Sequence, residues 1–174
     1  MRLIQGRMEN MYQISQLVVY GSHGVCRIVD TEERVIDRKT VSYFVLEPLA
    51  QPGTNYLIPS QSPTALAKIR PLLEKEQMLE ILQTTVNRQD WLPDDNRRKQ
   101  LYRQILSAGD VTALLGMLRT LQTYKEHQQS IGKRLHICDD NFMRDAYKLL
   151  SGEICVLLHI SESEARVYLD SSVK

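Results

Sequence analysis

Long apolar runs are missing from these 174 residues; no stretch approaches the roughly 20 needed to cross a bilayer as a helix. Cysteine is scarce. Cys26, Cys138 and Cys155 are odd in number and widely spaced, which excludes a disulfide framework and predicts reduced, mostly buried thiols. No apolar segment follows Arg2 and Arg7, so a signal peptide is not expected and a cytoplasmic location is. The chain contains no G-x-S-x-G, no H-E-x-x-H and no phosphate loop, leaving those hydrolytic, zinc-dependent and nucleotide chemistries without their residues. Internal repeats and low-complexity tracts are absent as well.

What is present reads as globular: 43% apolar and 25% charged residues, enough for one domain or two small ones. The first part has β grammar. Leu17–Tyr20 and Val25–Val29, running on to Val35-Ile36, flank a tight turn at Gly21-Ser22-His23-Gly24. A turn at Asp37-Arg38-Lys39 leads into Val41–Leu49, where residues alternate with period two. Gln51-Pro52-Gly53-Thr54 suits a type II turn, Asn55–Ile58 is a strand stopped by Pro59, and Lys68-Ile69-Arg70 closes the set before Pro71. Short strands joined by tight turns predict a compact antiparallel barrel.

After Pro71 the period changes. Glu74–Thr85 is expected to be helical, and residues 86–93 are read as a linker. Asp94 or Asp95 caps a helix carrying Leu101, Ile105 and Leu106, with Gly109 as its left-handed cap. Asp110 caps the next, with Val111, Leu114, Leu115, Leu118 and Leu121 on one stripe. Asp139 or Asp140 starts another, and Ser161-Glu162-Ser163-Glu164 forms a capping box for the last. The fold class is therefore α+β with segregated halves: a small antiparallel β-barrel followed by an all-α bundle of about five helices.

Net charge is only +1, but residues 97–134 hold eight basic and two acidic side chains, a local +6 that leaves the rest at −5. Such asymmetry fits an anion-facing surface, nucleic acid included, or a solvated helix face. His23 has no partner nucleophile or acid in sequence and is read as a turn residue. His136, Cys138, Cys155 and His159 are the one metal-like constellation, yet their spacing matches no standard finger, and no metal site is expected. Trp91, the only tryptophan, either anchors the linker to the bundle or presents its ring beside Arg97 and Arg98 to a base pair.

The order of these segments resembles the CarD/CdnL family, whose RNA-polymerase-interacting domain is shared with transcription-repair coupling factor. The residues that carry the resemblance are the Leu17-Val18-Val19-Tyr20 strand, the His23-Gly24 turn, Tyr43 to Leu46, and Ile58-Pro59. In the helical half they are Trp91 with Arg97-Arg98, Ser107 to Val111, and Leu118 to Leu121. The resemblance implies a non-enzymatic regulator without cofactor or metal. Residues 11–71 would form a Tudor-like barrel that docks on the RNA polymerase β subunit through Arg34, Tyr56 and Leu57. Residues 72–174 would contact promoter DNA near the −10 element through Trp91, Arg97, Arg98, Lys99, Lys133 and Arg134, the tryptophan wedging into the minor groove to stabilise the open complex. Residues 1–10 would be a leader or a cloning remnant. A monomer with no membrane association, held at the nucleoid through the polymerase, is implied.

The chain departs from the family pattern at several positions. Gly21 follows Tyr20 where proline is usual, Leu57 stands at the second polymerase-contacting arginine, and Arg38-Lys39 replaces a turn glycine. Gln100 and Asp140 stand where basic residues are usual, and Leu92 to Asn96 lengthens the spacing from Trp91 to the arginine pair. These departures keep a second reading open, a protein–protein adaptor that uses the barrel and has no DNA role.

Overall fold

The computed structural model describes residues 12–84 and 90–173. The expectations for residues 1–10, for Thr85 as a helix end and for the linker over 86–89 lie outside the described residues. The chain divides into two compact units, Met1–Leu72 and Leu73–Lys174.

The first unit is a five-stranded antiparallel sheet: β1 (Leu17–Tyr20), β2 (Val25–Ile36), β3 (Lys39–Pro48), β4 (Tyr56–Pro59) and β5 (Ile69–Pro71), in the order β4-β3-β2-β1-β5. Although β4 and β5 lie at opposite ends of that order, Ile58 and Ile69 share one core with Val18, Cys26, Ile28, Phe44 and Leu46. The sheet therefore curls around a common interior, as a small barrel does. A one-turn helix, α1 (Pro63–Leu66), adds Leu66 to that core; Ser62 caps it and Pro63 opens it. The sequence reading contained no helix here, because four residues are too few to show a period.

Two turns set the register. The β2–β3 hairpin closes through two residues, with Ile36 opposite Lys39, so Asp37 and Arg38 take φ of 48° and 64°. That left-handed pair is the hairpin geometry for which glycine is the easy choice, and Arg38 occupies it without one. In the type II turn, Gly53 has φ 85° and the Thr54 amide donates to the Gln51 carbonyl at 3.2 Å.

The second unit is helical: α2 (Lys75–Gln83), α3 (Asp95–Ala108), α4 (Val111–Ser130), α5 (Ile137–Leu158) and α6 (Glu162–Val173). Their apolar stripes converge on one core containing Met78, Leu115, Met117, Leu118, Leu121, Leu150, Ile154 and Leu169. The caps explain where each helix begins. Asp94 accepts from the Arg97 amide at 2.9 Å, Asp110 from the Ala113 amide at 2.8 Å, and Ser161 and Glu164 bond reciprocally. Gly109 ends α3 at φ 66°. One start differs from expectation: α5 is capped by His136, whose Nδ1 accepts from the Cys138 amide at 3.2 Å, rather than by Asp139 or Asp140. Asp139 is thereby one residue pair inside the helix and free to point inward.

Candidate functional site

A buried, hydrogen-bonded group of polar side chains in the second unit surrounds Trp91. Arg98, on the first turn of α3, is only 3% exposed. Its Nε and Nη2 donate to the two oxygens of Asp139 at 3.0 Å each, a bidentate pair with a carboxylate that is 1% exposed. Nη2 also donates to Asp95 Oδ1 at 2.7 Å, and Nη1 to the Leu92 carbonyl at 2.8 Å. Burial opposes the charge on Arg98, and the two carboxylates outweigh it, leaving the guanidinium pKa above its ordinary value. The same hydrogen bond, with the charge behind it, holds the Asp95 carboxyl below its ordinary range. The buried Tyr102 hydroxyl nearby is pushed up to about 12, by desolvation first and by the Asp139 charge second, so it stays neutral.

Trp91 itself is half-buried. Its ring stacks on Tyr124 of α4, centroids 3.5 Å apart and planes 9° from parallel, and the Arg98 guanidinium carbon lies 4.3 Å from the ring centroid. The ring packs against the helical core, as the anchor alternative expected, and it is only partly buried.

The contacts of Trp91 and Arg98 bring the start of α3, the end of α4 and the start of α5 together. Arg97, Lys133 and Arg134 are exposed around that end of the bundle, and Lys99 is partly so. Arg98 has a different place from the one expected. The sequence reading set it on the surface beside Arg97, facing phosphate; the structure turns it inward and occupies its donors with Asp139, Asp95 and Leu92. The reason is helical phase. Arg98 lies about 100° round α3 from Arg97, which brings it to the side packed against Asp139 of α5, while Asp95, Asn96 and Arg97 stay exposed. Tyr124 and Asp139 were not singled out in the sequence. The signal for Tyr124 was faint, a lone aromatic near the polar end of α4, and Asp139 was read as a cap.

In the first unit, cross-strand pairing decides which side chains share a face. Leu57 pairs with Val45, and two residues along each strand Pro59 pairs with Tyr43, which pairs in turn with Glu32; Arg34 pairs with Val41. Arg34 and Leu57 therefore lie on the same face of the sheet, the one turned away from the core. Arg34 is exposed and bonds Glu32 at 2.9 Å. Tyr56 pairs with Leu46 and lies on the opposite, core-facing side, packed against the interior. Of the three sheet residues, then, two share a face, offset by four positions along β3, and one lies on the other face. Tyr56 instead joins an aromatic group, its ring 4.2 Å from that of His23, which stacks on Tyr20 at 5.0 Å and 19°. Desolvation by these rings, and secondarily the Lys68 charge, lowers the His23 pKa.

The metal-like constellation is pulled apart. His136 caps the start of α5, and Cys155 and His159 lie at its other end, where His159 forms the left-handed cap at φ 54°. At about 1.5 Å per residue, the 22 residues of α5 separate the two pairs by roughly 30 Å. Among the described residues, no group of three His, Cys, Asp or Glu side chains is placed to hold a metal ion. No helix of the described residues is long and apolar enough to cross a membrane.

Residues 12–72, a little over a third of the chain, match the family model of the CarD-like/TRCF RID domain, the RNA-polymerase-interacting domain. Residues 12–72 are thus an RNA-polymerase-interacting domain of this kind, which supports a transcription-related role with RNA polymerase as partner. No curated protein matches the chain.

Proposed function

We propose, from an RNA-polymerase-interacting domain at residues 12–72, that this protein is a CarD-type regulator that docks on the polymerase β subunit and stabilises the open promoter complex. The match of that domain is the observation that carries the reading. Residues 11–71 dock; residues 72–174 meet DNA at the upstream edge of the bubble, near the −10 element. The protein acts as a monomer in the cytoplasm, at the nucleoid.

Docking uses the outer face and free edge of the sheet. Among the described residues β4 pairs only with β3, so its other side offers main-chain groups to a partner strand. Arg34 and Leu57 supply charge and apolar contact on one face, and Tyr56 supports the edge from within. DNA contact uses Trp91 as the ring that meets the melted step, with Arg97, Lys99, Lys133 and Arg134 on the phosphates. Such contacts are salt-sensitive and do not read sequence. An inserted ring costs base stacking, least where the duplex is already open, so it favours the fork over intact DNA. Tethering through the first unit raises the local concentration of a weak DNA-binding half, which is why a net charge of +1 suffices.

The test is open-complex lifetime on a promoter with cognate polymerase, followed by a melting-sensitive dye. The wild-type protein lengthens it and Trp91→Ala does not; Arg34→Glu weakens binding to the isolated β lobe. Equal lifetimes with and without the protein would refute the DNA role. The stack of Trp91 on Tyr124 favours one second reading, an adaptor in which the ring is structural. In that case forked DNA leaves the Trp91 emission unchanged.

A further inference from the structure

The Arg98 guanidinium is buried, makes four hydrogen bonds with its five N–H donors, and restrains the Trp91 segment in two ways. Nη1 holds the carbonyl of Leu92, the residue that follows Trp91, at 2.8 Å, and the guanidinium lies 4.3 Å from the indole centroid. The other edge of the same planar group is gripped by Asp139 on α5 and by Asp95 on the first turn of α3. Tyr124, from α4, stacks on the ring. Trp91 precedes α3 in a segment that belongs to no helix or strand among the described residues. An inserting ring left free would lose rotational freedom on meeting DNA, and that loss weakens binding.

We infer that Arg98 is a positioning residue: with Asp139, Asp95 and Tyr124 it clamps Trp91 into a preorganised platform, and it does not itself bind phosphate. The clamp is a property of the free protein; its consequence for DNA rests on the function proposed above. Lysine cannot replace Arg98. An ammonium has no planar face for the ring and no fork to engage Asp139, Asp95 and the Leu92 carbonyl at once.

Two readouts on the full-length chain test this. The first is acrylamide quenching of the single tryptophan in the free protein. Arg98→Lys and Asp139→Asn raise the quenching constant roughly twofold as the ring loses its restraints. Asp95→Asn, at a solvent-exposed carboxylate, gives a smaller rise in the same direction and serves where the buried variants fail to fold by circular dichroism. Unchanged quenching in the folded variants overturns the clamp. The second readout is open-complex lifetime. Under the clamp, Arg98→Lys and Asp139→Asn lose most of the gain that Trp91→Ala loses. A longer lifetime for Asp139→Asn would mean that a released Arg98 binds phosphate, and it would overturn the inference. If Trp91→Ala leaves the lifetime unchanged while quenching responds, the DNA role fails and the clamp stands.

Discussion

Replacing Arg98 with methionine removes the guanidinium but keeps a flexible apolar stem in its place. Asp139, 1% exposed, then keeps its charge or its polar acid group in the core without the two 3.0 Å bonds it accepted. Breaking a buried pair from one side costs about 3–5 kcal/mol, because the remaining group is left desolvated and unpaired. A domain of this size has about 5–15 kcal/mol in all, so the variant loses a large share of its stability. The molecule contains its own control. Arg144 and Asp140 make a bond of the same 3.0 Å length, with side chains 72% and 43% exposed. Solvent screening reduces that pair to about 0.3–0.5 kcal/mol, so Arg144→Met is nearly silent. Removing both buried charges, Arg98→Met with Asp139→Leu, restores much of the loss, since well-packed apolar replacements of buried pairs are often neutral or better. Urea unfolding followed by far-ultraviolet circular dichroism measures the wild type and all three variants. Equal costs for Arg98→Met and Arg144→Met would refute the argument, because the first variant strips the bonds to Asp139, Asp95 and Leu92 from a buried site and the second removes one bond exposed to water.

Further outcomes are expected elsewhere. The His23 pKa lies below its ordinary value in the folded state, so the unfolded chain takes up the proton first; the first unit loses stability as pH falls through about 6.5 and below, and His23→Gln flattens that slope in near-ultraviolet melts at pH 7.5 and 5.5. The folded pKa of Asp95 is depressed, so its contribution is present above the ordinary carboxylate pKa and disappears as pH drops through the depressed value; Asp95→Asn removes this part of the acid limb in urea titrations. Arg38→Gly relieves a left-handed φ of 64° in the β2–β3 turn and stabilises the hairpin by about 0.5–1 kcal/mol, read from denaturant midpoints; a loss would show that the arginine side chain outweighs the backbone strain. The buried Cys26 thiol is pushed up to about 12 by desolvation, so iodoacetamide at pH 8 leaves it unlabelled in peptide maps until the protein unfolds.

Much of the architecture was legible because it rests on local chemistry. Period-two runs between Gly and Pro turns marked the strands, and Asp94, Asp110, Gly109 and the Ser161–Glu164 box marked helix ends to within a residue. These signals act over three or four residues and need no tertiary partner. The one-turn helix at Pro63–Leu66 and the His136 cap were not legible: the first is too short for a period, and histidine is an uncommon cap.

The sequence by itself determined that a β half precedes an α half, that basic residues gather between 97 and 134, and that a single tryptophan stands before them. Only the tertiary structure decided which of those charges face solvent. Arg97 and Arg98 are chemically the same residue at neighbouring positions, and nothing within either separates their roles. Asp139, 41 residues away in sequence, arrives beside Arg98 only when α5 packs onto α3, and it turns one arginine from a surface charge into part of the core. The stack of Tyr124 on Trp91 has the same origin: a contact between residues 33 apart depends on where two helices meet, and no local pattern encodes that.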